Sequence, residues 1–271
     1  SSSNATRLEF MTGASEAATA KMSISSGGIV GMGAVPTGDL GEGLHVKTSD
    51  TGGSAGSNSK EIVIESNHAS GGGMTILNKN DATGRIQWSD GDATGRFSIN
   101  YDHSTDLMKI NTAGAVAIQM NQDGIITKPL QPAFLAKSAA MTNLATATTH
   151  TVVFSSEIFD QNSDYNTGTY TFTAPVTGKY QLSCDLKIDD VDQASDYYSG
   201  SIVCSNRGIG IFNVKTPHVF SEDSNYYRWV SSCIVDMDAN DTAYVTFRPQ
   251  AGDATADINA NESLFGGFLV C

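Results

Sequence analysis

The stretch FSSEIFDQNSDYNTGTYTFTAPVTGKY, Phe154 to Tyr180, read together with SLFGGFLV, Ser263 to Val270, decides the fold of this chain. In TYTFTAP and KYQLSCDL apolar and polar side chains alternate with period two, as they do in strands that bury one face. This alternation places Tyr170 and Phe172 on one strand face, and Tyr180, Leu182 and Cys184 on the core face of the next. Between them Ala174-Pro175-Val176-Thr177-Gly178 supplies Pro and Gly where the chain must reverse. The two blocks read as opposite ends of one β-sandwich. PAFLA, Pro132 to Ala136, starts another strand, and Trp229 alternating with Ser231, Cys233, Val235 and Met237 reads as a core strand.

Outward from this region the composition changes. Residues 1–128 hold 19 of the 27 glycines but four of the 22 aromatics, Phe10, Trp88, Phe97 and Tyr101. The boundary is therefore placed near Lys128-Pro129, giving a Gly-rich segment 1–128 and an aromatic-rich domain 129–271. In the first segment EIVIES (Glu61–Ser66), GMTIL (Gly73–Leu77), GRIQW (Gly84–Trp88), GRFSINY (Gly95–Tyr101) and LMKINT (Leu107–Thr112) alternate with turn residues, which reads as a β-meander without helices. DATGRI at Asp81 recurs as DATGRF at Asp92, the spacing of one strand plus one turn. Each strand carries two or three apolar side chains, too few for one chain to offset its conformational entropy. Three chains sharing one core would supply the missing area and close the strand edges. Residues 1–60, with GGIVGMGAVPTGDLGEG and DTGGSAGSNS, also fit a disordered Gly/Ser-rich linker.

The net charge of −13, from 29 acidic and 16 basic residues, argues against nucleic acid as a partner, because no basic stripe exists to displace counterions. No run of eighteen apolar residues occurs that would insert into a membrane. Cys184, Cys204, Cys233 and Cys271 match no CxxC or CxxH metal spacing. The first three lie in apolar strand-like runs, so buried free thiols formed in a reducing cytoplasm are expected, with a disulfide as the alternative. The five histidines, His45, His68, His103, His150 and His218, are scattered, and no nucleophile-elbow, zinc-protease or phosphate-loop motif is present. Carboxylate pairs such as Asp90 with Asp92, or Asp102 with Asp106, could be imagined as glycosidase groups, but such pairs arise in any chain this acidic. A non-enzymatic protein is expected.

Residues 131–271 resemble a C1q-like domain, the jelly roll of the complement C1q head and tumour necrosis factor. The resemblance is carried by Phe134 and Ala136; Ile158-Phe159-Asp160; Asp164-Tyr165-Asn166; Thr167 to Tyr170; Phe172 to Val176, Gly178 and Tyr180; and, near the end, CIVDMDANDTAYVTF (Cys233–Phe247) and ADINANESLFGGFLV (Ala256–Val270). Asp241-Thr242 stands where the family usually has Gly-Asp, and the collagen-like stalk is missing. In its place, GLHVKTSDTGGSA (Gly43–Ala55), GGGMTILN (Gly71–Asn78) and INYDHSTDLMKINTAGAVAIQMNQDGIIT (Ile99–Thr127) resemble the shaft and neck of bacteriophage tail fibres, particularly marine ones.

These resemblances imply an all-β homotrimer, an intertwined shaft over 1–128 carrying a C1q-like head over 129–271. The implied role is attachment of a virion to its host, in a tail fibre folded in the host cytoplasm. Partners would be a host surface glycan or protein and, through a part preceding Ser1, other tail proteins, since SSSNATRLEFMTG opens in mid-pattern. The alternatives are a purely structural virion fibre or decoration protein whose head drives trimerisation and, with least support, a polysaccharide-degrading tailspike. For receptor contact, turns in IDDVDQASDYYSG and VFSEDSNYYRWV offer Tyr197, Tyr198, Asn225, Tyr226, Tyr227 and Arg228, aromatics beside amides and charges. The family often holds calcium, for which Asp189, Asp190 and Asp192, close to Asp185, are candidates, although their spacing lacks the EF-hand pattern. No other cofactor is expected.

Overall fold

The computed structural model describes residues 7–13, 19–26, 28–33, 43–53, 55–56, 58, 61–215, 221–252 and 255–271. Among these the chain is all-β, with no helix, and divides into two compact units, Ser1–Leu77 and Asn78–Cys271.

In the first unit β1 (Leu8–Thr12), β2 (Thr19–Ile24), β3 (Val30–Gly33), β4 (Leu44–Lys47) and β5 (Ile62–Glu65) form one sheet in chain order. The β1-β2-β3 pairs are antiparallel, and the β3-β4-β5 pairs are parallel. Register aligns Leu8, Ile24, Val30, Leu44 and Ile62 in one cross-strand row, and Phe10, Met22, Met32, Val46 and Ile64 in the next. Both rows lie on one face, because every second side chain points the same way.

The other face carries a buried polar network. His45 Nε2 lies 3.0 Å from Glu65 Oε2, which also faces Lys47 Nζ at 3.3 Å, while Lys47 reaches Asp50 at 3.2 Å. Thr51 donates its backbone N–H (2.7 Å) and its hydroxyl (3.0 Å) to Glu65 Oε1. The Thr51 N–H holds the Glu65 carboxyl below its usual range, against the opposing effect of burial. For Lys47 burial acts to lower the pKa, yet the pairs with Asp50 and Glu65 outweigh it and the net shift is upward.

The second unit opens with a meander of β6 (Thr83–Trp88), β7 (Phe97–Asp102), β8 (Leu107–Thr112), β9 (Ala115–Met120) and β10 (Ile126–Thr127), paired in sequence. GRIQW, GRFSINY and LMKINT fall on β6, β7 and β8 as expected. GMTIL forms no strand, and Met74 and Leu77 stand exposed: the preceding Gly71-Gly72-Gly73 offers no side chains to pack. The near-repeat also splits. Thr83 to Ile86 lies inside β6, whereas Asp92 to Arg96 makes the turn into β7, with Asp90 Oδ1 accepting the N–H groups of Asp92 and Ala93 and Gly95 at φ +69°.

The remaining strands are β11 (Ala133–Lys137), β12 (Met141–Leu144), β13 (His150–Thr151), β14 (Ser156–Asp160), β15 (Tyr165–Asn166), β16 (Thr171–Thr173), β17 (Gly178–Val191), β18 (Tyr197–Cys204), β19 (Arg207–Lys215), β20 (Ser224–Met237), β21 (Thr242–Gln250), β22 (Ala256–Ile258) and β23 (Leu264–Leu269). They make a jelly-roll sandwich. One sheet runs β12-β22-β17-β23-β11-β14, with β20 also on β17; the other runs β15-β16-β21-β18-β19, with β13 also on β21. Strict alternation along β17, β18 and β21 sends Tyr180, Leu182, Leu186, Ile202, Val245 and Phe247 into the core.

The aromatic residues of the deciding stretch build that core. Phe134 stacks on Tyr165 (5.0 Å between centroids) and on Phe172 (4.7 Å) and meets Phe265 edge-on at 5.1 Å. Buried hydroxyls are satisfied: Tyr165 donates to Phe154 O at 2.9 Å and Tyr180 to Val176 O at 2.7 Å. Asp160 accepts the N–H groups of Asp164 and Tyr165 and so folds the connection between β14 and β15. Tyr170, expected to share a strand face with Phe172, instead stands in a turn at φ +60°, outside β16. The four cysteines are free thiols: Cys184 and Cys204 are buried, Cys233 is half-buried and Cys271 is exposed. Burial, then Cys233, pushes the Cys204 thiol up to about 11.

Gly266 and Gly267 let β23 pair closely with β11 on one side and β17 on the other. A methyl on Gly267 would lie 2.6 Å from Leu182 Cδ2 and 2.8 Å from Gln181 O, whereas Gly73 has open space around it. Gly267→Ala is expected to destabilise the fold by about 1–3 kcal/mol, read by denaturant unfolding, with Gly73→Ala as a near-neutral control. A second expectation concerns acid. Because the folded pKa of Glu65 is depressed, its stabilisation is present above the unfolded value and is lost as pH falls through the folded one. Protection of the β4 and β5 amides, measured as exchange relative to the intrinsic rate at each pH, should therefore fall below the ordinary glutamate range, and Glu65→Gln should flatten that dependence.

Candidate binding surface

Strand alternation divides each tyrosine pair between two environments. Tyr197 and Tyr198 lie at the start of β18 rather than in a turn. Tyr198 is fully buried, with its hydroxyl accepting the Asp192 N–H at 2.9 Å and lying 3.2 Å from Ser195 Oγ, so it has no surface to offer. Tyr197 is half-buried, 3.5 Å from Gln250 Oε1. Tyr226, Tyr227 and Arg228 lie inside β20, opposite Asp189, Ile188 and Lys187 of β17. Even-numbered residues of β20 face outward, away from the sandwich, while Trp229, Val235 and Met237 face the core.

The outward face of β17 and β20 carries a connected group of charges and one ring. Arg228 donates from Nη1 to Asp185 Oδ2 at 2.9 Å and from Nη2 to Glu262 O at 2.9 Å and Glu262 Oε2 at 3.3 Å. Lys187 Nζ stands 5.0 Å from the Tyr226 ring centroid, 3.7 Å from Asp189 and 3.9 Å from Glu262. Asn259 donates to Asp189. Tyr226 is the most exposed of the tyrosines here, at 63%. Tyr227 points to the core side but emerges at the sandwich edge, its ring 4.7 Å from that of Trp229. Asn225 is exposed beside Tyr226, and the two share the wall of an open depression of about 490 Å³ with Ser221, Glu222, Asp223 and Ser224.

Chemically this surface offers a planar ring with a cation over one face, amide and guanidinium donors, and carboxylate acceptors whose charges are largely matched. Such a set stacks on and hydrogen-bonds to neutral polyhydroxylated or amide-bearing surfaces. Arg228 is held by two carboxylates and is not a free cation for an anion. Lys187 and Glu262 carry no signal in the sequence, and Asp185 stands out there only as a member of the acidic run. The alternation Asp185, Lys187, Asp189 along DLKIDD places three of these charges on one face, but nothing in the sequence marks that face as the outer one.

The three calcium candidates diverge. Asp189 faces outward, and Asp190 stands at φ +55° between Asp189 and Val191, which pair with Tyr226 and Ser224 in unbroken register. Asp192 is nearly buried, with Oδ1 accepting the Ala194 N–H at 2.7 Å. Among the described residues no three His, Cys, Asp or Glu groups cluster closely enough to hold a metal ion.

Known proteins were compared with this chain. No curated protein sequence matches it. Among solved structures, the globular domain of zebrafish complement 1qA protein matches with 17% identity over 52% of this chain and 98% of that one, at a TM-score of 0.39. Murine APRIL matches over 52% of this chain and 99% of that one, with 10% identity in its pH 8.0 crystal structure and 12% at pH 5.0, both at a TM-score of 0.38. The sequence profile of the C1q domain matches residues 133–270, more than half of the chain, which therefore belongs to the C1q-domain family.

Proposed function

We propose that this chain is a non-enzymatic attachment protein of a virion, a trimeric phage tail fibre or receptor-binding protein in which residues 1–128 form the shaft and 129–271 the head that contacts the host. Domains of this family are typically non-enzymatic binding modules. The observation that carries the reading is the outward face of β17 and β20, where Tyr226 stands exposed over a charge-matched polar surface suited to a host glycan or protein loop. The Gly-rich sheets of the first half take the place of a collagen-like stalk, which fits a fibre. Four free thiols fit folding in the host cytoplasm before release of the virion.

The labelled full chain, titrated onto a panel of bacterial cells, tests the reading. Tyr226→Ala and Arg228→Ala should each weaken binding to the responsive host by about tenfold, the effect of losing about 1.4 kcal/mol at a contact. Tyr226→Ala should leave unfolding within about 0.5 kcal/mol of the parent, since the ring is exposed. By contrast Tyr198→Phe should destabilise by about 1–3 kcal/mol by orphaning the buried Asp192 N–H. Undiminished cell binding by both surface variants would remove this face from recognition and favour a purely structural fibre.

A further inference from the structure

The two sheets outside the sandwich share an arrangement that a single chain leaves incomplete. Each leaves an apolar ladder open to solvent, and in the first unit the opposite, polar ladder is the covered one, the reverse of an ordinary one-sided sheet. In the meander, register aligns Ile86, Ile99, Ile110 and Ile118 across four strands. Ile86 is 41% and Ile99 37% exposed, while their polar neighbour Ser98 is buried and accepts from Asn111 Nδ2 at 3.1 Å. In the first unit, Met32 and Ile64 are 45% and 46% exposed on one face while His45, Lys47 and Glu65 are buried on the other. Neither apolar ladder contains a charge, although the chain carries a net −13.

Extent, charge and repetition together identify the occupant. With strands about 4.8 Å apart and rows about 7 Å apart along them, the two-row face of β1–β5 covers about 300 Å², and the face of β6–β10, where the rows Gly84-Tyr101-Met108-Met120 and Trp88-Phe97-Thr112-Ala115 flank the isoleucine row, about 500 Å², between them the roughly 800 Å² per partner of a stable interface. Copies of a strongly acidic chain can meet on such faces without burying charge. Two separate sheets carry the same bare apolar ladder, and another copy of this chain supplies a matching ladder for each. We propose that the apolar faces of β1–β5 and of β6–β10 are the surfaces on which copies of this chain join, ladder toward ladder, each completing the other's core. The proposal rests on the trimeric reading above and names the surfaces that reading requires.

The test uses the full chain with Cys271→Ser as background and one new thiol at a time: Ile99→Cys and Ile64→Cys on the apolar faces, Arg85→Cys on the exposed opposite face of β6. Native mass is measured by light scattering, and mild oxidation is followed on a non-reducing gel. With Cys184 and Cys204 buried and Cys233 half-buried, the new thiol is the one exposed thiol of each chain and can link only two chains, so a two-chain band is expected for Ile99→Cys and Ile64→Cys, at least about tenfold stronger than for Arg85→Cys. A three-chain mass without that preference, or with equal linking at all positions, overturns the proposal and leaves the trimer standing. A one-chain mass overturns both. If a cysteine variant does not fold, acrylamide quenching of Trp88 reads the same face in a Trp229→Phe chain. Shielding at least threefold beyond that of free tryptophan supports the proposal, and quenching like free tryptophan overturns it.

Discussion

A strand has two faces, and a stable sheet must take at least one of them out of water. In the jelly roll this constraint is met within one chain: two sheets lay their apolar faces together around the Phe134, Tyr165, Phe172 and Phe265 rings, and each fully buried aromatic or aliphatic side chain contributes about 1.5–3 kcal/mol. Within one of these sheets, the close pairing of β23 with β11 and β17 depends on Gly266 and Gly267, where even one extra carbon would strike either neighbour. Everything displayed on the outside, including the Tyr226 surface, is positioned by that packing.

The first half answers the same constraint differently. Its chain-covered faces hold ion pairs and hydrogen bonds, with Glu65 gathering His45, Lys47 and Thr51, so the hydrophobic contribution within one chain is small. Buried ionic networks stabilise weakly because desolvation offsets most of the Coulombic gain. What they do supply is definition: a half-satisfied network costs more than an apolar core, so the strands are held in one register.

The sandwich was legible because its signal is local and redundant. Period-two alternation in KYQLSCDL survives unchanged as the inward row of β17, and Ala174 to Thr177 makes the turn before it. Trp229 was placed on the core side by the same reasoning. The candidate binding face is harder to read, because a Tyr-Tyr dipeptide looks like a turn feature until the strand under it is known. Once β18 and β20 are in place, neighbours must point to opposite sides, which buries Tyr198 and exposes Tyr226. Tyr170 and GMTIL eluded the pattern for a related reason: alternation over two or three residues does not distinguish a strand from a turn or from an unpartnered extended segment. Residues 34–42 of the Gly-rich linker candidate lie outside the described residues.

The order of the sheet also has a mechanical side. β11, the first strand of the sandwich, is flanked by β23 and β14, so its backbone is bonded on both edges over Ala133 to Lys137. A pull on the chain ahead of Pro132 runs along this strand, and its bonds on both edges must slide together rather than open one after another. Simultaneous shear of this kind raises the unfolding barrier that governs survival under force. A sandwich tugged through this first strand is thereby loaded in shear rather than peeled.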